Sequence, residues 1–409
     1  MQELTPDGAC QWVRDADTLA VPLGPGQPVE FLHALGKRER FDRLDVFGAL
    51  LVDAFALFTR PGVALQSGFY GPVERALRDA GHAVRFVPAD FRRFARIARR
   101  MAPRVMATAA APPDRDGFCS LSLHAGATVD ELLRCGRDPD RVLIVEANPR
   151  LPRTLGLPPA HPHAIHTHDI DVLIHSEREP VALPDTAPSD IERAIAAHAV
   201  AFVPDGATLQ TGIGGIADAV ARTLAEGSGG NYGIHSEMFT TGLMHLHRSG
   251  KATNRRKGLH DGVSICTFAM GTRALYDWLG GEGRELVRFL PVDEVNDPAI
   301  IARNRALVSI NGALSVDLYG QVVADQIGGR QYSGIGGHEE FVAGAAFSEG
   351  GRSLICLPSQ ARGAHGAVSR IVPAFPPGAC ITTPRHQVDA VITEYGVAEL
   401  AGKTNDARR

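Results

Sequence analysis

Membrane-spanning and secretory features are absent from this 409-residue sequence. No apolar run approaches the roughly 18 residues needed for a membrane span, and the first residues lack the basic-then-apolar pattern of a signal peptide. The six cysteines are scattered and form no C-x-x-C pair, which argues against a disulfide framework or a cysteine-rich metal site. We therefore expect a cytoplasmic protein with reduced thiols and no membrane association.

An excess of charge of one sign is also missing, because 42 basic and 46 acidic residues give a net charge of −4. Without a general positive potential, we predict no nucleic-acid partner. The most basic segment, FRRFARIARRM at 91–101, has apolar residues at helical spacing. This pattern predicts an amphipathic helix with a solvated arginine face rather than a nucleic-acid contact.

Four histidines crowd into the segment HPHAIHTHD, at positions His161, His163, His166 and His168. Imidazole is a common metal ligand, but no carboxylate or cysteine stands at a recognisable ligand spacing from these residues. The segment contains a proline and precedes the apolar run IDVLIHSE. We interpret it as an irregular approach to a strand, and we predict no metal site.

What the sequence does contain is a steady alternation of short β-rich runs with amphipathic helical patterns. This alternation predicts an α/β fold with largely parallel sheets, including one strand over ALVSINGALSVDLYG at 306–320. The proline-rich segment at 178–190 reads as a linker, and it ends with Ser189 and Glu192 placed as a helix capping box. We therefore expect two domains, over 1–186 and 187–409.

The two halves also share local patterns. LQSG at 65–68 and LQTG at 209–212 each end a predicted strand and lead through glycine into an amphipathic helix. DVLIHSE at 171–177 similarly resembles DAVITE at 389–394. We expect two related α/β lobes with a cleft between them, which is a usual place for a small-molecule site.

One carboxylate stands alone in the uncharged stretch GIHSEMFTTG at 233–242. Glu237 is followed by Met238 and Phe239, so a core-entering strand would partly desolvate it, and such a group is usually paired or functional. From this stretch alone, a salt-bridged or solvated glutamate is the favoured interpretation, and a functional carboxylate is the alternative.

Two glycine-rich turns flank this glutamate in sequence. LQTGIGGIADAV contains Gly212, Gly214 and Gly215, and GGRQYSGIGGHEEFVAGA contains Gly334, Gly336 and Gly337. Each turn precedes a helical pattern, so its backbone N–H groups could meet a ligand's negative charge. A plain tight turn is the alternative for either one. If the turns and Glu237 converge, they would supply a carboxylate nucleophile with backbone donors for an oxyanion.

Several of these strings together resemble the acetyl-CoA hydrolase/transferase family, and within it 4-hydroxybutyrate CoA-transferase and related carboxylate CoA-transferases. The likeness runs from about residue 200 to 404 and is carried by the segments LQTGIGGIADAV, GIHSEMFTTGLMHL, PVDEVNDPAIIARN, VSINGALSVDLYGQVVADQIGGRQYSGIGGHEEFVAGA, SRIVPAFPPGACITTPR and VDAVITEYGVAEL. The likeness is weaker in the first half of the chain, where four segments carry it in the family's order: QSGFYG, GFCSLSLHAG, VLIVEANP and IDVLIHSE.

The resemblance implies two CoA-transferase-type (NagB/RpiA-like) α/β domains, forming a homodimer. It also implies exchange of coenzyme A between a short-chain acyl-CoA and a free carboxylate. Glu237, ionised at neutral pH, falls on the family's covalent nucleophile. Coenzyme A would then be a substrate and a transient glutamyl-CoA adduct, with no permanently bound cofactor, and the kinetics would be ping-pong.

By the same resemblance, the oxyanion donors would be the backbone N–H of Ile213 and that of Gly336 or Gly337; structural glycine turns are the alternative. The coenzyme would lie along the second glycine turn and the PSQA turn at 358–361. The set assigned to substrate binding is Gly212, Gly214, Gly215, Gly334, Ser359, Gln360, Arg370 and Lys403. Asp297 before Pro298 reads as a helix cap, so EVNDP and SINGALSVD are given no role in the chemistry.

The sequence departs from the family pattern at two places. We expect these departures to change the affinity for CoA and the exclusion of water, and to leave the type of reaction unchanged. Ala401 stands where relatives usually carry arginine, and the sequence stops at Arg409 where relatives usually continue. Three functions stay open: a CoA-transferase, an acyl-CoA hydrolase on the same scaffold, and a non-catalytic CoA-binding protein. The intact HSEMF and glycine turns favour the first two, and the sequence does not separate them.

Overall fold

The computed structural model describes residues 1–363 and 366–409. The chain forms two compact units, and each is built from two segments. The first unit contains Met1–Leu183 and Thr267–Asp293, and the second contains Pro184–Cys266 and Glu294–Arg409. This differs from the predicted single boundary at 186/187, because Thr267–Asp293 returns to the first unit.

The first unit is built on a parallel sheet with the order β1-β8-β7-β6-β2-β3-β4-β5. Its strands are β1 Gln2–Leu4, β2 Ala16–Ala20, β3 Arg43–Gly48, β4 Val63–Ser67, β5 Val84–Phe86, β6 Val105–Ala110, β7 Val142–Ala147 and β8 Val172–His175. Every residue of the central strands β6 and β7 is buried. Continuous burial is typical of parallel strands covered on both faces.

The second unit has a smaller sheet with the order β10-β9-β11-β12-β13-β14, parallel except for the antiparallel pair β13–β14. Its strands are β9 Thr208–Thr211, β10 Gly233–Ile234, β11 Leu307–Gly312, β12 Arg352–Cys356, β13 Ala390–Thr393 and β14 Gly396–Glu399. The predicted α/β class with largely parallel sheets is confirmed.

The helices lie mostly between the sheet strands, as crossovers in parallel sheets require. In the described part of the chain they are α1 Pro6–Ala9, α2 Val29–Leu35, α3 Pro72–Asp79, α4 Phe91–Met101, α5 Val129–Cys135, α6 Asp190–Ala199, α7 Gly215–Glu226, α8 Thr241–Arg248, α9 Arg273–Gly280, α10 Val292–Val295, α11 Pro298–Ile301, α12 His338–Phe347 and α13 Asn405–Arg408. None of these described helices is long and apolar enough to cross a membrane.

Shorter strands lie outside the two sheets: Phe118–Ser120, Ala164–His166, Met238–Phe239, Ser264–Cys266, Phe268–Ala269, Val287–Phe289, Ser315–Asp317, Val322–Val323, Gln326–Ile327, Arg330–Gln331, Gln360–Gly363, Gly366–Ser369 and Ile371–Val372. The single strand predicted over 306–320 is wrong, because β11 ends at Gly312 and Ser315–Asp317 pairs with other short strands.

Three local predictions can be compared directly with the structure. The basic segment at 91–101 is helix α4, which buries Phe91, Phe94 and Ala98 as its spacing predicts. Ser189 and Glu192 form the predicted capping box of α6. The histidine segment is more regular than expected, because it contains the strand Ala164–His166. Across residues 1–363 and 366–409, no cluster of three or more His, Cys, Asp or Glu side chains is arranged to hold a metal ion.

Candidate active site

Glu237 lies between β10 and the short strand Met238–Phe239 in the second unit. Its neighbours on both sides are buried, but Glu237 itself keeps part of its surface exposed. The preceding residue fixes this position, because the Ser236 backbone N–H donates to the Ile265 carbonyl at 3.0 Å. The Ser236 hydroxyl also donates to the Thr211 carbonyl at 3.1 Å. Glu237 therefore follows a residue that is bonded to the end of β9, where the first glycine turn begins.

The Glu237 carboxylate has two donors in the second unit. Asn296 Nδ2 donates to Glu237 Oε2 at 2.7 Å, and the Gly337 backbone N–H donates to the same carboxylate. Burial raises the pKa of Glu237 to about 7, although these two hydrogen bonds act to lower it. Because part of the residue stays exposed, water offsets some of the desolvation. The expectation that Glu237 is ionised at neutral pH stays a prediction, and the raised pKa acts against it.

Asn296 also bonds a second carboxylate. Its Nδ2 donates to Glu340 Oε2 at 2.7 Å, and both Asn296 and Glu340 are buried. The segment carrying Asn296 is held from two sides: His235 Nε2 bonds the Val295 carbonyl at 2.8 Å, and the Asp297 carboxylate caps α11 through the Ala299 N–H. The predicted Asp297 cap is confirmed.

Sequence reasoning missed Asn296, because it gave the EVNDP segment no role in the chemistry. The signal that could have found it is its position directly before a helix cap, within a string that already supported the family resemblance. The bonds of its amide to Glu237 and Glu340 hold this side chain in one direction, which suits a group that must orient a reactive carboxylate.

Gly337 approaches the carboxylate more closely than a larger residue could. It is the N-cap of α12, and a Cβ on it would overlap both the Glu237 carboxylate oxygen and the Asn296 amide nitrogen. Gly336 has a φ of 58°, in the left-handed region that favours glycine, and Gly334 is buried. The structure therefore brings the second glycine turn against Glu237, with the Gly337 N–H bonded to the carboxylate itself.

The first glycine turn connects β9 to α7. Gly214 has a φ of 117°, and a Cβ on Gly215 would overlap the Glu192 carboxylate, so both glycines have structural reasons to be there. Gly212 has open space around it, and Ile213 is exposed. The assignment of the Ile213 N–H as an oxyanion donor stays a prediction.

Two of the residues predicted to hold the coenzyme, Ser359 and Arg370, interact with Glu394. Ser359 donates to this carboxylate from its hydroxyl at 2.6 Å and from its backbone N–H at 2.8 Å. Burial acts to raise the pKa of Glu394, but the Ser359 bonds and the Arg370 charge leave it below its ordinary value. Gln360 is exposed and begins the hairpin strand beside Arg370, whose N–H bonds the Ser359 carbonyl. Sequence reasoning did not single out Glu394.

Lys403 is not shown to join this group. It is exposed in the turn after β14, where its backbone N–H bonds the Leu400 carbonyl. Ala401 is exposed in the same turn, and its N–H bonds the Asp389 carbonyl. The roles of both positions stay predictions.

The chain is similar in sequence and in fold to known proteins. Residues 271–409 match the acetyl-CoA hydrolase/transferase C-terminal domain. The chain is 36% identical over 389 residues to the 4-hydroxybutyrate coenzyme A transferase of Clostridium kluyveri, covering 93% of this chain and 86% of that protein. It is 35% identical over 411 residues to the succinyl-CoA:cyclohexane-1-carboxylate CoA transferase of Geobacter metallireducens, covering 98% and 89%.

A solved structure matches across the whole chain. The crystal structure of RipA from Yersinia pestis superimposes with a TM-score of 0.90 at 32% identity, covering 100% of this chain and 92% of that one. Both sequence relatives exceed 30% identity over more than nine-tenths of this chain. The chain therefore belongs to the acetyl-CoA hydrolase/transferase family.

Proposed function

We propose that this enzyme transfers coenzyme A between a short-chain acyl-CoA and a free carboxylate, with Glu237 as the covalent nucleophile. The observation that carries the proposal is the setting of Glu237: a partly exposed carboxylate oriented by Asn296 and by the Gly337 N–H. The names of its relatives as CoA-transferases support the reaction class. The proposed enzyme is a cytoplasmic homodimer.

The first half-reaction moves coenzyme A onto the enzyme. An ionised Glu237 oxygen attacks the thioester carbonyl, and the carbon–sulfur bond breaks to give an acyl-glutamyl anhydride and the CoA thiolate. The thiolate then attacks the glutamyl carbonyl and displaces the donor's carboxylate. The products are a free carboxylate and a glutamyl-CoA thioester, so no proton is gained or lost overall.

The second half-reaction reverses these steps with a new carboxylate. The acceptor attacks the glutamyl thioester, releasing the CoA thiolate and forming a second anhydride. The thiolate attacks the acceptor's carbonyl, which gives the new acyl-CoA and restores the Glu237 carboxylate. The thioester's free energy is retained only if water is excluded while the anhydride exists.

Each step passes through a tetrahedral oxyanion that needs hydrogen-bond donors. The donors in our proposal are the N–H of Ile213 and the second-turn N–H groups of Gly336 and Gly337. The Gly337 N–H already bonds the Glu237 carboxylate, which supports its use when that group becomes acylated. Losing one such donor is typically worth about 3 kcal/mol of transition-state stabilisation.

Trapping the intermediate tests this function. Incubation with acetyl-CoA and no acceptor should load CoA onto the enzyme as a mass increment, and borohydride should reduce the glutamyl thioester to an alcohol and release CoA. Peptide mapping should place the reduced residue within 233–242. A reduced residue at Glu294, Glu339 or Glu340 would show that the nucleophile is assigned wrongly.

Matched variants separate chemistry from folding. Glu237→Gln keeps the side-chain shape and an acceptor oxygen, so we expect it to fold but to lose transfer. Glu237→Asp should be slower by roughly a hundredfold, because the shorter stem misplaces the carboxylate by about an ångström. With acetyl-CoA and a panel of butyrate, succinate and 4-hydroxybutyrate, free CoA release without transfer would instead assign acyl-CoA hydrolysis.

A further inference from the structure

The second glycine turn, at 334–337, carries the Gly337 N–H that bonds the Glu237 carboxylate. Glycine allows this close approach, but it also loses more conformational freedom on folding than any other residue. Gly336 has a φ of 58°, and a Cβ on Gly337 would overlap Glu237. A turn with three glycines therefore needs fixed neighbours if the Gly337 N–H is to keep one direction.

Asp325 closes the segment that leads into this turn. Its backbone carbonyl accepts the N–H of Tyr332 at 2.8 Å and that of Ser333 at 3.0 Å. Its carboxylate accepts a hydrogen bond from Gln331 Nε2 at 2.9 Å, and the same amide nitrogen donates to the Ser333 carbonyl at 2.9 Å. Gly334 follows directly, so the turn starts from residues that Asp325 holds.

The segment that Asp325 closes is a short hairpin, in which Gln326–Ile327 pairs with Arg330–Gln331. Its two central residues, Gly328 and Gly329, have φ angles of 56° and 77°. Positive φ at both positions is the geometry of the tight turn that best joins two antiparallel strands. The hairpin is thus a closed loop with its base at Asp325, and the second glycine turn continues from that base.

Two neighbouring threonines hold both sides of the glycine turn. Thr382 Oγ1 donates to the Asp325 carboxylate at 2.8 Å and accepts the Ala324 N–H at 2.9 Å. The Thr383 hydroxyl donates to Glu339, in the first turn of α12, at 3.1 Å. Both threonines are buried. Asp325 precedes the turn and Glu339 follows it, so this pair of threonines fixes the chain before and after the glycines.

The Asp325 side chain also lies near the residue that follows Gly337. Burial lowers the pKa of His338 to about 4, and the charge of Asp325 acts against this shift. Such an effect requires the two groups to be close neighbours. Asp325 therefore contacts the surroundings of the glycine turn at the base of the hairpin and also at the start of α12.

We propose that Asp325 is a positioning residue that sets the direction of the Gly337 N–H through the closed hairpin and through Thr382. The inference rests on the proposed covalent role of Glu237. Asp325 touches no reacting atom; it fixes the start of the glycine turn.

The benefit of this role follows from the chemistry of the cycle. In the anhydride and in the thioester, Glu237 has lost its full negative charge and is a weaker acceptor for the Gly337 N–H. A free glycine turn could then move away. Because Asp325 and Thr382 hold the chain outside the glycines, the N–H stays directed at the glutamyl oxygen, which becomes the oxyanion when thiolate or carboxylate attacks.

A comparison of two aspartates tests the effect on rate. Asp325→Ala removes the acceptor of Thr382 and Gln331, so kcat for CoA transfer from acetyl-CoA to butyrate should fall at least about tenfold, with KM for acetyl-CoA within about threefold of wild type. Asp389→Ala is the control, because the Asp389 carboxylate likewise accepts a hydroxyl and an N–H, both from Ser353. It should keep kcat within about twofold of wild type. Equal kcat values for the two folded variants overturn the proposal.

Thr382 provides a second test in which no charge changes. Thr382→Val keeps the shape of the side chain but cannot donate to Asp325, whereas Thr382→Ser keeps the hydroxyl. We expect kcat of Thr382→Val to lie at least about fivefold below that of Thr382→Ser. If thermal denaturation shows that Asp325→Ala does not fold, this pair decides the proposal, and equal kcat values for the pair reject it.

The same pair gives a readout that a purely structural role would not change. The Gly337 N–H bond acts to lower the pKa of Glu237, against the burial that raises it to about 7. When this N–H is no longer held in direction, the pKa of Glu237 rises further, and the acidic limb of kcat/KM moves to higher pH. The limb of Thr382→Val should therefore lie at higher pH than that of Thr382→Ser. A limb at the same or lower pH contradicts the proposal.

The borohydride trap separates this inference from the proposed function. The wild type and Thr382→Val are mixed with acetyl-CoA, reduced after successive times and mapped. We expect the adduct at Glu237 to form in both proteins, and more slowly in the variant. If the wild type gives no adduct at Glu237, the proposed function fails and the inference with it. If the adduct forms at the same rate in both proteins, only the role of Asp325 is rejected.

Discussion

At the scale of single residues, we predict that Asn296 contributes more to the rate of CoA transfer than to the stability of the fold. Removing its amide in Asn296→Ala takes one of the two donors from Glu237 and leaves the carboxylate held by the Gly337 N–H alone. We expect kcat to fall roughly a hundredfold to a thousandfold, as for the loss of one oriented donor. Steady-state CoA transfer from acetyl-CoA measures this.

Asn304 supplies the control for that measurement. It is also fully buried, but its amide donates to the Ile301 carbonyl at the end of α11. Asn304→Ala should lower the urea midpoint by a similar amount to Asn296→Ala while keeping kcat within about twofold. Equal loss of kcat in both variants would mean that Asn296 acts only through folding.

Glu237 and Asn296 show how much of the site a sequence can disclose. Glu237 could be found, because a lone carboxylate in an uncharged stretch is visible locally and matches a family motif. The contacts of Asn296 join residues 59 and 44 positions away in the chain, and no local pattern encodes them. The raised pKa of Glu237 has the same origin, because desolvation depends on tertiary packing.

At the scale of elements, the strand that leads to Glu237 is held by a buried lysine. Lys257 is fully buried, and its Nζ donates to the Ile234 carbonyl of β10 at 3.2 Å and to Val263 at 2.6 Å. Its stem packs so closely on Gly233 that a Cβ there would overlap it. Burial lowers the pKa of Lys257 from 10.5 to about 7.

The lowered pKa of Lys257 predicts that the free energy of unfolding increases with pH. Between pH 7 and about 10, the unfolded chain keeps the Lys257 proton and the folded chain releases it, so the free energy of unfolding increases with pH. From pH 7 to 9 the gain should be on the order of 2 kcal/mol. Urea unfolding of the wild type should show this rise, and Lys257→Met should lack it.

Lys251 is the matched control, because its Nζ also donates to two carbonyls, those of Gly227 and Gly229, but it lies nearer the surface. Lys251→Met should keep the wild-type increase between pH 7 and 9. If Lys257→Met showed the same increase as the wild type, the buried lysine would not be the source of the pH dependence.

Helices and strands were predicted correctly where the pattern is local. The prediction failed where consecutive parts of one run pair with strands of different sheets. Helix α4 follows from its apolar spacing alone. The run at 306–320 alternates apolar and polar residues over much of its length, as one strand would. In the structure β11 lies in the six-stranded sheet, and Ser315–Asp317 pairs with Val322–Val323 and Ile371–Val372. Which sheet a strand joins depends on partners distant in sequence, and hydrophobicity does not report it.

At the scale of the whole molecule, the first unit is built from two separate segments of the chain, Met1–Leu183 and Thr267–Asp293. The segment Thr267–Asp293 carries several large buried side chains, including Tyr276, Trp278 and Phe289. Phe289 stacks on His163 with ring centroids 5.1 Å apart, and the Tyr276 hydroxyl donates to the Val181 carbonyl at 2.9 Å. The proline-rich composition at 178–190 indicates where the chain first passes from the first unit to the second. No change of composition marks Thr267, where the chain passes back into the first unit.

This division predicts that residues 1–186 do not fold alone. Without Thr267–Asp293, the first unit would expose the apolar surface that Tyr276 and Phe289 cover, and His163, now without its stacking partner, would face water. We expect an expressed 1–186 fragment to aggregate or to show no cooperative thermal transition by circular dichroism. Co-expression with 187–409 should restore a cooperative transition, because that fragment supplies the missing segment. A 1–186 fragment that unfolds cooperatively by itself would contradict the two-segment unit and support a single boundary at 186/187.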